Sequence, residues 1–394
     1  MRWSSPILAL QWMNANNLII SPDYPPPLIG GSLVYLNSLV KNSNLDFTIL
    51  SDKKFRKNTK NITFIESKHI VNSGNPKKIH LFFMYLYLIF KIYEISRHKI
   101  VILNISAIGN GFFSYLLSKF RTKVVILVFA EEITLALNAK GISGFLKRIC
   151  LNGYKSADKL ISVSNFAKDI LIKKVNVKKD IFVIPTPVHD SKYNLDAFIN
   201  RKHNTQFKIL SVGRLIKRKG FIYLLKAFSE VIKSFDNVYL SIVGDGPEIN
   251  NIIEFIDKNN LKEKVIIHKK VSDQFLAKQY ISHDLFILAN LMLENGDCEG
   301  APNVLIEAAS FGLPTIAGIE GGTSDVVDNN KSGILINPRD TQTFSKQIIS
   351  FLKSREKCNL YGKNGFFKAM NSHNKEKAGN SFRDIIERLS ANNI

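Results

Sequence analysis

The sequence predicts an α/β protein made of two doubly wound domains. Three observations carry that expectation. A chain of 394 residues with 45% hydrophobic content exceeds what a single core usually organises and is too apolar for disorder. Runs rich in Val, Ile and Leu alternate with helix-period segments in both halves, the pattern of parallel strands covered on both faces. That alternation breaks once, at 185–206, where two prolines are followed by a polar run.

In chain order, the strands expected in the first half are Asn17 to Ser21, Phe47 to Leu50, Ile100 to Leu103, Val124 to Phe129, Lys159 to Ser162 and Ile181 to Ile184. The second half offers Lys208 to Val212, Tyr239 to Val243, Val265 to His268, Leu285 to Leu288, Thr315 to Ala317 and Gly333 to Ile336. These limits divide the chain into a domain over 1–189, a linker over 190–206, a domain over 207–370 and a helical tail over 371–394. In the tail, Phe382, Ile385, Ile386 and Leu389 share one apolar face, which packs back on the first domain in this reading. A dozen residues precede Met13, so either Met1 to Trp12 is an extension or Met13 is the initiator.

Charge narrows the partners. Lys and Arg number 54 against 33 Asp and Glu, a net +21. Residues 1–200 hold 27 basic and 12 acidic side chains, and residues 201–394 hold 27 and 21, so the halves stand at +15 and +6. An excess of this size points to phosphate-rich ligands, nucleic acid or an anionic membrane. Cys150, Cys298 and Cys358 are few, odd in number and far apart, which fits neither a disulfide framework nor a zinc site and agrees with a reducing cytosol. The opening segment lacks a convincing signal peptide, and the longest apolar stretch, Leu81 to Phe90, is half of what a membrane span needs.

The most informative segment is Glu299-Gly-Ala-Pro-Asn-Val-Leu-Ile-Glu307, followed by Gly312-Leu-Pro314. Pro302 and Gly312 bracket a short helix, with Glu299 in the loop before it and Glu307 one turn inside. The amides of Asn303, Val304 and Leu305 at the helix start favour an anion. Spacing alone favours ordinary solvated or capping glutamates, so the company they keep matters. Strand Lys208 to Val212 runs into Gly213-Arg214-Leu-Ile-Lys217-Arg218-Lys219-Gly220, a basic cluster where an open parallel sheet binds its ligand. Arg214 can fork onto a phosphate and Lys219 adds a point charge. Gly244-Asp245-Gly246-Pro247 ends another strand, Gly321-Gly322-Thr-Ser-Asp325 opens a later strand-to-helix loop, and Gly30-Gly31 opens the first helix after Pro25-Pro26-Pro27.

Taken together with Ala157-Asp158-Lys-Leu-Ile-Ser-Val-Ser164, these segments resemble the retaining glycosyltransferases of family 4, and the resemblance covers almost the whole chain. It implies the GT-B fold, two Rossmann-like doubly wound domains facing across a cleft. It also implies that the N-terminal domain takes the acceptor and the C-terminal domain the nucleotide sugar. Arg214 and Lys219 match the pair that holds the donor diphosphate, Glu307 the glutamate on the ribose hydroxyls, and Glu299 the glutamate on the transferred sugar. Gly30 and Gly31 match the loop that touches the distal phosphate.

The chain departs from the family where strand Val124 to Phe129 is usually followed by His-Gly. Here the run is Phe129-Ala130-Glu131-Glu132, so Glu131 and Glu132 become candidates for acceptor contact. No Asp-x-Asp occurs, so neither a divalent metal nor another cofactor is expected. The expected function is transfer of a sugar from a nucleotide-diphosphate donor to a lipid-linked saccharide of a bacterial surface polysaccharide, at the cytosolic face of an anionic membrane and without nucleic acid. A glycoside hydrolase, reading Glu299 and Glu307 as an acid pair, fits less well because both sit at one helix start. A basic membrane- or nucleic-acid-binding scaffold accounts for the charge and leaves the motifs unexplained.

Overall fold

The computed structural model describes residues 16–22, 24, 31–52, 61–67, 69–70, 78–188 and 206–391. The alternative starts at Met1 and Met13, the residue Gly30 and the linker at 190–205 lie outside these. The chain forms two compact units, one of residues 1–187 with 375–394 and the other of residues 188–374.

In the first unit the strands are β1 (Asn17–Ile20), β2 (Phe47–Asp52), β3 (Ile62–Ser67), β4 (Ile100–Leu103), β5 (Lys123–Val128), β6 (Lys159–Ser162) and β7 (Ile181–Val183). They form one sheet in the order β3-β2-β1-β4-β5-β6-β7. Pairing is parallel throughout, with Ile19 opposite Ile49 on one side and Ile102 on the other. Strands such as β4, with four consecutive buried residues, are covered on both faces, which is why their sequence is a run and not an alternation. Strand β3 was not among the expected ones. It is an edge strand whose Thr63 is exposed between buried Ile62 and Phe64, so it lacks the continuous apolar run that marks its neighbours.

The last helix, Lys375–Ala391, belongs to this unit. Phe382 stacks on Phe47 at 6.0 Å between ring centroids, and Gly379 lets the helix approach the Asn42 carbonyl of helix Gly31–Ser43, which any Cβ would strike. The tail drawn at 371 in sequence therefore begins at Lys375, since helix Arg355–Ser372 packs in the other unit.

The second unit holds β8 (Phe207–Val212), β9 (Val238–Val243), β10 (Val265–His268), β11 (Leu285–Leu288), β12 (Thr315–Gly318) and β13 (Gly333–Ile336). The sheet order is β10-β9-β8-β11-β12-β13. Ile209 in β8 sits between Leu240 of β9 and Leu285 of β11, so the strand order reverses at the β8–β11 boundary. Ligands of open α/β sheets bind outside the strand carboxyl ends at such a point. The unit begins at Val188, whose N–H donates to the His373 carbonyl at 2.8 Å, before the linker limit read from the sequence.

Candidate active site

The loop leaving β8 carries the basic cluster and folds sharply. Lys217–Lys219 makes one 3-10 turn, and Gly220 closes it at φ 68°, a left-handed conformation that favours glycine. A Cβ on Gly220 would collide with the Ala289 carbonyl just past β11, so the loop is pressed against that strand end. The turn after β9 braces it from the other side. Leu215 donates its N–H to the Asp245 carbonyl at 2.9 Å, and Glu248 donates back to the Leu215 carbonyl at 2.9 Å.

This geometry separates the two cations that the sequence placed together on an exposed strand end. Arg214 is exposed, and its guanidinium forms no ion pair or hydrogen bond among the described residues. Lys219 is buried, and its Nζ lies 3.0 Å from Glu299 Oε2. Arg218, which the sequence presents only as one more cation, completes the arrangement. Its Nε donates to Glu299 Oε1 at 2.7 Å while one terminal nitrogen donates to Asp297 Oδ1 at 2.7 Å. Burial pushes the Glu299 carboxyl up, but Lys219 and Arg218 overcome that and hold it below the usual carboxylate range. Glu299 is thus a buried, ionised carboxylate fixed from two directions.

Two glycines hold its backbone. Gly322 donates to the Glu299 carbonyl at 2.8 Å. Cβ atoms on Gly321 and Gly322 would strike the carbonyls of Glu299 and Gly300, respectively, so the loop after β12 can lie on this segment only with glycine at both places. Cys298 beside them is buried, which suits packing better than a nucleophile's exposed setting.

The helix runs from Asn303 to Ser310, with Pro302 as its N-cap in extended conformation. The Leu305 N–H already donates to the Pro302 carbonyl at 3.0 Å, so the expected anion contact from Leu305 is taken up locally. The N–H groups of Asn303 and Val304 have no backbone acceptor among the described residues, which leaves them able to donate to an anion. One turn on, Glu307 Oε2 accepts a 2.8 Å hydrogen bond from the Tyr280 hydroxyl. Tyr280 is itself fixed by stacking on Phe311, with centroids 5.2 Å apart. Burial raises the Glu307 carboxyl above its usual range, against the Tyr280 bond and the Lys219 charge. Tyr280 carried no sequence signal, because its helix is separated from Glu307 by a strand and a loop.

If Glu307 binds the ribose, Glu307→Gln keeps the shape, loses the charged acceptor and raises the donor KM about tenfold or more while kcat stays within a few-fold, the mark of uniform binding. Steady-state kinetics with varied donor checks this, and a fall in kcat at unchanged KM contradicts it.

In the first unit, Gly31 is the exposed first residue of helix Gly31–Ser43. Glu131 and Glu132 lie in the first turn of helix Ala130–Asn138, at the carboxyl end of β5. Glu132 accepts from the backbone N–H groups of Phe129 and Ala107, joining the starts of two helices. Burial first, and the neighbouring Glu131 second, push its carboxyl up to about 8. A carboxyl raised on folding binds its proton more tightly in the native state, so its contribution is complete below the unfolded value and disappears as pH rises toward 8. Wild-type protein should therefore lose melting temperature between pH 5 and pH 8 relative to Glu132→Gln. A melting-temperature gap independent of pH across that range contradicts this assignment.

Among the described residues, no three His, Cys, Asp or Glu side chains converge into a group that could hold a metal ion.

Comparison with known proteins agrees with this geometry. Residues 193–366 match the family described as "Glycosyl transferases group 1". An uncharacterized glycosyltransferase of Methanocaldococcus jannaschii is 24% identical over 410 aligned residues, covering 96% of this chain and all of that protein. A UDP-Gal:alpha-D-GlcNAc-diphosphoundecaprenol alpha-1,3-galactosyltransferase of Escherichia coli is 28% identical over 59% of this chain and 60% of its own length, so that likeness is partial. Among solved structures, sucrose-phosphate synthase from Thermosynechococcus elongatus superposes with a TM-score of 0.79 at 18% identity, over 95% of this chain and 99% of that one. With two parallel doubly wound sheets the chain has the GT-B fold, and across the second of them it matches the group 1 glycosyl transferases.

Proposed function

We propose that the protein moves a sugar from a nucleotide-diphosphate donor to a lipid-linked saccharide at the cytosolic face of an anionic membrane, with retention of anomeric configuration. The observation that carries this reading is the Lys219–Glu299–Arg218 arrangement beside the start of helix Asn303–Ser310. It sets a fixed carboxylate next to a group of positive charges and helix amides at a strand-end ligand position. The reaction breaks the bond between the anomeric carbon and a phosphate oxygen, and the electron pair leaves on the diphosphate. Lys219, Arg214 and the amides of Asn303 and Val304 stabilise that growing charge, an electrostatic task of the kind that often dominates catalysis.

Glu299 orients the sugar, and Glu307 takes the ribose hydroxyls. The acceptor oxygen bonds to the anomeric carbon on the face from which the diphosphate departs, and its proton passes to the departing phosphate oxygen. No protein nucleophile enters the step. Lys219 and Arg214 take the place that a bridging divalent cation would fill, and no cofactor is needed. A lipid-linked acceptor is supported by the activity for which the E. coli relative is named and by the charge of the first unit. Assembly of a bacterial surface polysaccharide is the setting that uses such acceptors.

The test is transfer of radiolabel from a panel of nucleotide sugars to polyprenyl-diphosphate saccharides, with and without EDTA. The reading expects label in the organic phase with a single donor class, undiminished by EDTA, and a product whose anomeric configuration matches the donor. Inverted configuration overturns the mechanism, and release of free sugar without transfer favours a hydrolase.

A further inference from the structure

Helix Gly141–Asn152 is amphipathic in the unusual sense. Its apolar stripe, Ile142, Phe145, Leu146 and Ile149, follows the i, i+3, i+4, i+7 spacing that normally turns toward a core, yet all four side chains are exposed. The buried residues are Gly144 and Leu151, and Ile142 is 82% exposed. Helix Lys78–Phe90 repeats the pattern, with Ile79, Phe82, Phe83 and Phe90 outward and Met84 and Leu88 buried.

The two stripes flank the same element, helix Ala107–Leu117. Tyr85 lies with its ring 5.9 Å from Phe113 and its hydroxyl 3.0 Å from Ser106 Oγ. On the other side, Gly111 admits the Cys150 carbonyl so closely that a Cβ would strike it. The flanked helix adds exposed Tyr115, with Lys119 over its ring at 4.8 Å. Residues this large and this numerous on neighbouring helices exceed the scattered apolar exposure of an ordinary surface.

Charge selects the occupant. Residues 67–157 contain thirteen Lys and Arg against three Asp and Glu, a net +10, and no acidic residue occurs between Glu132 and Asp158. Lys140, Lys147 and Arg148 lie on or beside the first stripe, and Lys91 and Arg97 follow the second. A second copy of the chain would bring two such fields together, whereas an anionic surface attracts both. Neither helix can cross a bilayer, since no described helix is long and apolar enough.

We infer that helices Gly141–Asn152 and Lys78–Phe90 form one docking face for an anionic lipid bilayer, lying in its interface with their apolar stripes inserted and the flanking cations at headgroup level. This deepens the proposed function by naming the surface that would meet a lipid-borne acceptor. It rests on that reading only for its purpose, because docking is scored without donor or acceptor.

The experiment uses the full chain with vesicles of phosphatidylcholine alone and of phosphatidylcholine with 30% phosphatidylglycerol, in low and high salt. The expected result is at least tenfold stronger co-sedimentation with the anionic vesicles, falling several-fold in high salt. Phe145→Ser with Leu146→Ser, and separately Phe82→Ser with Phe83→Ser, should each reduce binding about tenfold. Circular dichroism and the melting temperature confirm that each variant is folded. A variant that does not fold is replaced by the milder Ile142→Ser or Phe90→Ser, whose side chains are almost wholly exposed. Equal recovery with both vesicles, or folded variants that bind like wild type, overturns the inference. So does a dimer in light scattering that those substitutions dissociate while vesicles recover nothing, which assigns the face to a second copy.

Discussion

Lys219→Ala lowers kcat by roughly a hundredfold or more, the scale seen when a transition-state charge loses one of its fixed donors. The reason lies in where the lysine is held. Its ammonium is buried against Glu299, in a loop pinned by Gly220, so in the proposed function it meets the diphosphate with little reorganisation and in a setting that strengthens its charge. Arg214 is exposed and cannot supply the same field from the same place. The variant also leaves Glu299 with Arg218 as its remaining close cation, so some stability is lost. Stranding a buried charge entirely costs about 3–5 kcal/mol, and the retained Arg218 keeps the loss below that. Lys219→Arg separates the two effects by restoring the ion pair without the compact ammonium. Initial rates at saturating donor, with circular dichroism as a folding control, check the prediction. Near-normal turnover in folded Lys219→Ala contradicts it.

Arg218→Ala lowers kcat by about tenfold to a hundredfold with donor KM changed only a few-fold, although Arg218 is a positioning residue rather than a catalytic one. Its guanidinium joins Glu299 to Asp297, so removing it frees the Glu299 carboxylate to rotate and leaves Lys219 as its sole close counter-charge. Losing Arg218 also removes one of the two cations that outweigh burial at Glu299, so the carboxyl rises toward the value burial favours. In the proposed role Glu299 acts ionised, so activity should fall as pH drops through its pKa. The acidic limb of the kcat profile therefore moves to higher pH in Arg218→Ala. Arg218→Lys recovers part of the rate, and Glu299→Gln removes the acidic limb together with most of kcat. A uniform drop in kcat at every pH, with no shift of the limb, would show that Arg218 serves only the fold.

Twelve of the strands were legible because a parallel sheet buried on both faces needs continuous apolar runs, and each run stops near where its strand stops. Edge strand β3 escaped because one of its faces meets water at Thr63 and the apolar residues are interrupted. Glu299, Glu307, Lys219 and Arg214 were legible as motif positions. Their environments were not, since burial of Lys219 follows from Gly220 turning the loop onto the end of β11, a contact between segments about seventy residues apart. Tyr280 and Asp297 became visible only through the side chains they hold. The outward stripe on Gly141–Asn152 shows a further limit. Its spacing is that of a core helix, and only exposure reveals that it faces out.

In the proposed function the second unit binds a nucleotide diphosphate through Lys219. The most direct measurement is the melting temperature of wild type and Lys219→Ala in UDP, GDP, ADP and dTDP, without acceptor. At about a hundred times its Kd a ligand stabilises the native state by about 2.7 kcal/mol, a rise of roughly 5–10 °C for a unit of this size. One of the four should produce that rise in wild type, and most of it should disappear in Lys219→Ala. No rise with any of them, or an equal rise in both proteins, contradicts the account.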